Sequence, residues 1–118
     1  MRYMLMIQSD ESGYATMTEA DMGELMSGYM RFDEEIAGAG VLETSDRLQP
    51  TPSATTVRVR DGKTTTTDGP FAETKEQIGG YYLIKVANLD EAIAWAAKIP
   101  TATYGSIEIR PIWEPQDF

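Results

Sequence analysis

The 118-residue sequence contains neither cysteine nor histidine. Without cysteine the chain can form no disulfide, no thiolate nucleophile and no cysteine-based metal site. Without histidine it lacks both the usual base of neutral-pH catalysis and the commonest ligand of transition metals. We therefore expect this protein to hold no metal ion and no cofactor.

Positive charge is also scarce. Ten Lys and Arg stand against nineteen Asp and Glu, for a net charge of −9. Nucleic acids and anionic membranes are bound by clustered Lys and Arg, so this composition argues against both as partners. The apolar residues 1–8 are too few for a signal peptide or a membrane span. These features predict a cytoplasmic protein, and the length predicts a single domain over residues 1–118.

Five segments have the residue pattern of β-strands. They are residues 2–8, 55–60, 63–67, 81–86 and 106–110. The first is apolar on both faces, which is typical of a strand in the middle of a covered sheet. Asp61-Gly62 predicts a tight hairpin between the second and third. Residues 40–53 read as a long connection without regular structure.

Two amphipathic helices complete the pattern. Thr18, with Asp21 three residues later, predicts a capping box at the start of the first helix, which Gly38 and Gly40 end. The second helix is predicted to begin after Asn88, with a capping box again, and to end at Pro100. The residues predicted to form its buried stripe are Leu89, Ala92, Ile93, Ala96 and Ala97. The box partner of Asn88 is predicted to be Glu91.

The order of these elements is strand, helix, hairpin, strand, helix, strand. It predicts an α+β protein with a ferredoxin-like antiparallel sheet, an added strand, and two helices on one face. The other face would carry apolar residues such as Met4 and Met6. An apolar sheet face of this size rarely stays in water, so we expect a homodimer in which two sheets pack face to face.

The segment DGPF at residues 68–71, continued to Ile84, is the most specific pattern in the chain. Together with residues 54–62, 89–92 and 104–112 it closely resembles the DGPF-domain proteins, a branch of the YCII-related family. The resemblance covers essentially the whole chain. It implies a dimeric α+β barrel, a fold shared with small monooxygenases and lactone isomerases. It also implies an association with sigma factors of the extracytoplasmic-function type.

Two carboxylates are candidate catalytic residues. YCII-type proteins are thought to use a His-Asp pair, which a chain without histidine cannot form, and Asp33 on the first helix resembles its surviving acid. Asp68 is the second candidate, as an acceptor or base, with Glu73 and Lys75 beside it in a cleft. The alternative is that Asp68 caps the turn at Gly69 while Glu73 and Lys75 are solvated.

A second candidate group consists of Arg58, Arg110 and Tyr81. If they face the barrel interior together with Glu108, they form a pocket for a carboxylate or phosphate. The alternative is a cross-strand ion pair between Glu108 and one of the two arginines.

The sequence therefore leaves two functions open. The first is a small-molecule-binding homodimer, with catalysis of the cofactor-free isomerase or oxygenase type if it is an enzyme. The second is a regulatory module that binds a sigma factor through its acidic surface. An open or a filled space between the sheets distinguishes them.

Overall fold

The computed structural model describes residues 1–118. Eight regular elements follow one another along the chain: β1 (Arg2–Ser9), α1 (Glu19–Gly38), β2 (Leu42–Arg47), β3 (Thr55–Arg60), β4 (Lys63–Asp68), β5 (Gln77–Lys85), α2 (Leu89–Lys98) and β6 (Ser106–Pro111). Short 3₁₀ turns lie between them and near the C-terminus, at Glu11–Thr16, Thr51–Ser53, Pro100–Thr103 and Pro115–Asp117.

Strands β1, β2, β5 and β6 form the main sheet, in the order β2-β5-β1-β6 and antiparallel throughout. Two β-α-β units combined in this way make a ferredoxin-like fold, so the predicted fold class is confirmed. Both helices pack on one face, where Leu5 and Ile84 of the sheet meet Phe32 of α1 and Ala92 of α2 in a single core. The opposite face carries no helix.

Strand β2 lies where the sequence predicts an irregular connection, and that prediction is wrong. Five of its six residues are exposed, so hydrophobic alternation is almost absent. The strand pairs with β5 from Leu42 to Arg47, with a register shift before Thr44. The free backbone edge of β5 therefore recruits these residues, and a polar edge strand of this kind leaves little periodic signal.

The hairpin of β3 and β4 forms as predicted, but it is a separate two-stranded sheet and adds no strand to the main one. Asp61 and Gly62 both have positive φ, as a tight hairpin turn requires. Val57 and Val59 remain 59% and 56% exposed. The radius of gyration is 16.5 Å, against roughly 13–14 Å for a compact domain of this length. The hairpin is thus an arm that lacks packing partners within one chain.

The helix caps follow the sequence closely. Thr18 and Asp21 form the predicted capping box, and the Asn88 side chain accepts from the Glu91 amide at 3.0 Å. The predicted box at Asn88 is incomplete, because the Glu91 carboxylate accepts from the Ala87 amide instead. Neither helix is long and apolar enough to cross a membrane.

The predicted buried stripe of α2 is only partly correct. Ala92 and Ala96 are buried, and Trp95 packs against the core between them. Leu89 and Ile93 are each 48% exposed, and Ala97 is exposed as well. Only part of the apolar surface of α2 therefore packs against the core, and the rest is exposed to solvent.

The face of the main sheet without helices is called the open face below. Residues that alternate with the core positions project from it: Met4, Met6, Tyr81 and Leu83. Each of these four side chains is half-buried within the single chain. Asp46 of β2, opposite Tyr81, and Glu108 and Arg110 of β6 border this apolar centre.

Candidate functional site

A pocket of about 330 Å³ lies on the helix-covered side, between α1 and the adjoining ends of β1, β2 and β5. Its volume falls at the lower end of the range for small-molecule sites, roughly 300–1,000 Å³. Ile7, Leu25 and Met26 supply its apolar walls. Its polar groups come from three different elements, which is the arrangement expected of a binding site.

Gly80 forms part of the pocket floor. It pairs with Ile7 of β1 on one side and with Arg47 of β2 on the other. A β-carbon at this position would lie 2.8 Å from the Asp46 carbonyl oxygen and 3.5 Å from the Arg47 Cα. Glycine is therefore required by the close approach of the edge strand.

Asp33 and Tyr82 join the helix to the sheet inside the pocket. The Tyr82 hydroxyl donates a hydrogen bond to one Asp33 carboxylate oxygen. Burial, followed by this hydrogen bond and the negative charge of Asp33, raises the pKa of Tyr82 above its usual value. The phenol therefore stays protonated at neutral pH and continues to donate, while the second Asp33 oxygen has no hydrogen-bond partner in the chain.

A second polar group lies beside this pair. The hydroxyls of Tyr29 and Thr101 share a hydrogen bond of 2.5 Å, and the Tyr104 hydroxyl is 3.4 Å from the same Thr101 oxygen. Burial raises the pKa of Tyr29. Thr101 is only 2% exposed, so this contact fixes the Tyr29 ring against the 3₁₀ turn after α2.

Arg47 is the one cation of the pocket lining. It lies directly opposite Gly80, so its side chain leaves the sheet on the pocket face. The four ion pairs of the chain join Arg2 to two glutamates, Lys98 to Glu35 and Arg110 to Glu108, and Arg47 takes part in none.

Asp68, the second candidate catalytic residue, lies outside this pocket. It is the last residue of β4, is exposed, and pairs with Thr55 in the hairpin arm. Glu73 and Lys75 follow in the exposed loop before β5, and Glu73 borders a wider depression formed by the segment at 69–78. Asp33 and Asp68 thus belong to different parts of the molecule.

The arginines and tyrosine of the second predicted group are also separated. Arg58 lies in the hairpin arm, with its guanidinium carbon 5.9 Å from the centre of the Phe71 ring. Arg110 and Tyr81 both lie on the open face. Arg110 forms a 2.6 Å ion pair with Glu108, but the two residues lie on the same strand β6, so the pair does not cross strands as the alternative expected. The Arg110 side chain is 72% exposed, so this pair contributes little to stability.

Tyr81 and Tyr82 occupy opposite faces of β5. The Tyr81 hydroxyl donates to Asp46 at 2.6 Å on the open face, which raises the pKa of Tyr81. Both tyrosines border the pocket, and Tyr82 is the one that bonds to Asp33. No three acidic residues come together in a way that could hold a metal ion.

Sequence reasoning missed Arg47 and Thr101. Arg47 was overlooked because β2 was not recognised, and only the register of β2 against β5 places it beside Gly80. Thr101 follows Pro100, where the sequence indicates no more than the end of a helix. A signal did exist for Gly80, because two consecutive glycines inside a strand indicate a close approach or a cavity.

Two comparisons with known proteins identify related sequences. The sequence model of the YCII-related domain matches residues 1–116. An uncharacterised protein of Rhizobium meliloti (strain 1021) is 39% identical over 114 residues. The alignment covers 95% of this chain and 92% of that relative. The two chains therefore correspond along almost their whole length.

Proposed function

This chain belongs to the YCII-related family, and we propose that it is a homodimer that binds a small organic molecule in the pocket above Gly80. The observation that carries the proposal is the convergence of Asp33, Tyr82 and Arg47 on one cavity of about 330 Å³. Buried Tyr82 donates to Asp33, while Asp33 and Arg47 are both exposed, so the two charges are accessible to a ligand.

The pocket supports binding by shape and by polarity. Its apolar walls come from β1 and α1, and its polar groups come from the sheet, from α1 and from the turn after α2. Tyr82 holds Asp33 in one position, so the free carboxylate oxygen offers a ligand an acceptor at a fixed place. Turnover at this site would use Asp33 as the proton acceptor, because the side chain of Asp46 faces the open side, where it is hydrogen-bonded to Tyr81.

Dimerisation is supported by two uncovered surfaces. The open face presents Met4, Met6, Tyr81 and Leu83 without a covering layer. The hairpin arm presents Val57 and Val59, more than half exposed. Packing two open faces about a two-fold axis would cover the first surface and lay each arm against the partner. The result would be the dimeric α+β barrel that the sequence predicts.

Native mass spectrometry of the protein purified from its own cells tests both parts of the proposal. We expect a dimer that carries additional non-covalent mass in the wild type and in Glu34→Gln, and less of it in Asp33→Asn. Glu34→Gln is the matched control, because it removes an exposed carboxylate of the same helix that does not line the pocket. A monomer would contradict the dimer, and additional mass that is equal in all three proteins would contradict the pocket.

A second candidate function is regulation of an extracytoplasmic-function sigma factor. The net charge of −9 and the DGPF segment, in which Phe71 is 81% exposed, favour it. A protein captured from lysate at low salt, released by high salt and lost with Phe71→Ala would support this function. Capture that is unchanged by both salt and Phe71→Ala would count against it.

A further inference from the structure

The pocket carries one available charge of each sign. Asp33 uses one carboxylate oxygen for Tyr82 and leaves the other free. Arg47 is absent from every ion pair of the chain. Resting on the proposed function, we propose that the ligand is a small amphoteric molecule: a carboxylic acid that also carries an amine, such as an amino acid.

Arg47 is placed to receive the carboxylate. The row of paired residues across the sheet runs from Arg47 to Gly80 and on to Ile7, and directly paired residues point to the same face. Gly80 has no side chain, and Ile7, Gly80 and Arg47 all line the pocket. A guanidinium presents two parallel N–H donors that match the two oxygens of a carboxylate.

Asp33 is placed to receive the amine. It belongs to α1, which covers the sheet, whereas Arg47 belongs to the edge strand, so the two groups enter the pocket from different layers. A ligand that satisfies both must carry its acceptor and its donor on separate atoms. Both residues are exposed, so a molecule with a single polar group would make only one of the two charge-assisted contacts and leave the other residue to water.

The remaining lining restricts the size of the ligand. The apolar contacts of Ile7, Leu25 and Met26 favour a short hydrocarbon portion between or beside the polar groups. A volume of about 330 Å³ favours a small ligand. The chemistry of the pocket therefore selects small metabolites of the amino-acid type.

A fragment screen on the full-length ¹⁵N-labelled chain tests this ligand class. The library contains soluble fragments of four kinds: amphoteric, acidic only, basic only and neutral. Binding in the pocket is recognised by shifts of the Gly79 and Gly80 amide signals, because both glycines line it. We expect amphoteric fragments to dominate the hits, and Arg47→Gln and Asp33→Asn each to weaken them by about tenfold or more.

Arg31→Gln is the control, because Arg31 lies on α1 outside this pocket and should leave the affinities unchanged. Hits that are mainly neutral or singly charged, with affinities insensitive to Arg47→Gln, would overturn the amphoteric ligand while pocket binding stands. If no fragment shifts the two glycine amides, the pocket itself is not a binding site and both proposals fail.

Discussion

The carbonyl oxygen of Asp46 occupies the position that a side chain at Gly80 would need, 2.8 Å from an ideal β-carbon. The contact couples the shape of the pocket to the pairing of an edge strand. A residue larger than glycine would push β2 away from β5, and it would also displace Asp46 and Arg47, which line the pocket. Stability and binding thus depend on the same close approach.

Gly80→Ala should therefore lower the free energy of unfolding by about 1–3 kcal/mol, as overpacking does elsewhere. Gly79→Ala is the matched control, since a β-carbon there meets nothing within 4 Å and the change should stay within about 0.5 kcal/mol. Urea unfolding followed by circular dichroism measures both. Equal effects of the two substitutions would contradict the steric argument.

Tyr82 makes the protein sensitive to alkali. Its pKa is raised in the folded state, whereas in the unfolded chain tyrosine titrates near pH 10. Above that pH the unfolded state binds fewer protons than the folded state, so stability that is complete below pH 10 falls as pH rises. We expect Tyr82→Phe to reduce this fall in urea titrations between pH 8 and pH 11. Tyr104→Phe leaves the Asp33 contact intact and should keep the wild-type slope.

We expect the ion pair between Glu114 and Arg2 to hold the C-terminal segment in place in a pH-dependent way. The Arg2 guanidinium donates to both Glu114 oxygens, at 2.7 and 2.9 Å, and this holds the pKa of Glu114 below its usual value. The attachment is therefore complete above the ordinary glutamate pKa and is lost as pH falls through the lowered one.

Hydrogen exchange at Ile112, whose amide donates to the Arg2 carbonyl at 2.9 Å, reports on this attachment. Glu114→Gln should speed exchange at neutral pH. Glu43→Gln removes a single 3.3 Å contact of the same arginine and should have the smaller effect. Faster exchange in Glu43→Gln than in Glu114→Gln would contradict the role of Glu114 in this attachment.

Met6→Glu should produce a monomer if the open faces meet. Met6 lies between Tyr81 and Glu108 in the middle of this face, so a second carboxylate would be buried beside an existing one. Ile93→Glu adds the same charge to the exposed side of α2 and should leave the dimer intact. Light scattering after size-exclusion chromatography distinguishes the two, and a dimeric Met6→Glu would place the interface elsewhere.

Much of the fold could be predicted because local and global signals agree. The caps at Thr18 and Asn88 and the turn at Asp61 depend on neighbours within three residues, so the sequence contains all the information. Strand β2 and the detachment of the hairpin depend on which edges remain free after the central strands have paired. No local pattern reports that, and both were predicted wrongly.

The candidate site was harder to predict for the same reason. Asp33 was selected from the family resemblance, and the structure places it in a pocket with Tyr82. The other predicted residues are distributed over the open face, the hairpin arm and the loop before β5. Residue type identified them, but only the strand register decides which side of the sheet each one occupies. Tyr81 and Tyr82 differ by one position and lie on opposite faces.

The central place of β1 has a consequence for synthesis on the ribosome. Its two neighbours in the sheet, β5 and β6, are both encoded far downstream. Translation proceeds at roughly 5–20 residues per second. Strand β1, which is apolar on both faces, therefore has no paired strand for several seconds after its synthesis. Helix α1 is complete well before then, and its Phe32 and Ile36 can shield one side of the waiting strand. The nascent chain therefore depends on α1 to keep its most aggregation-prone segment covered until β5 emerges.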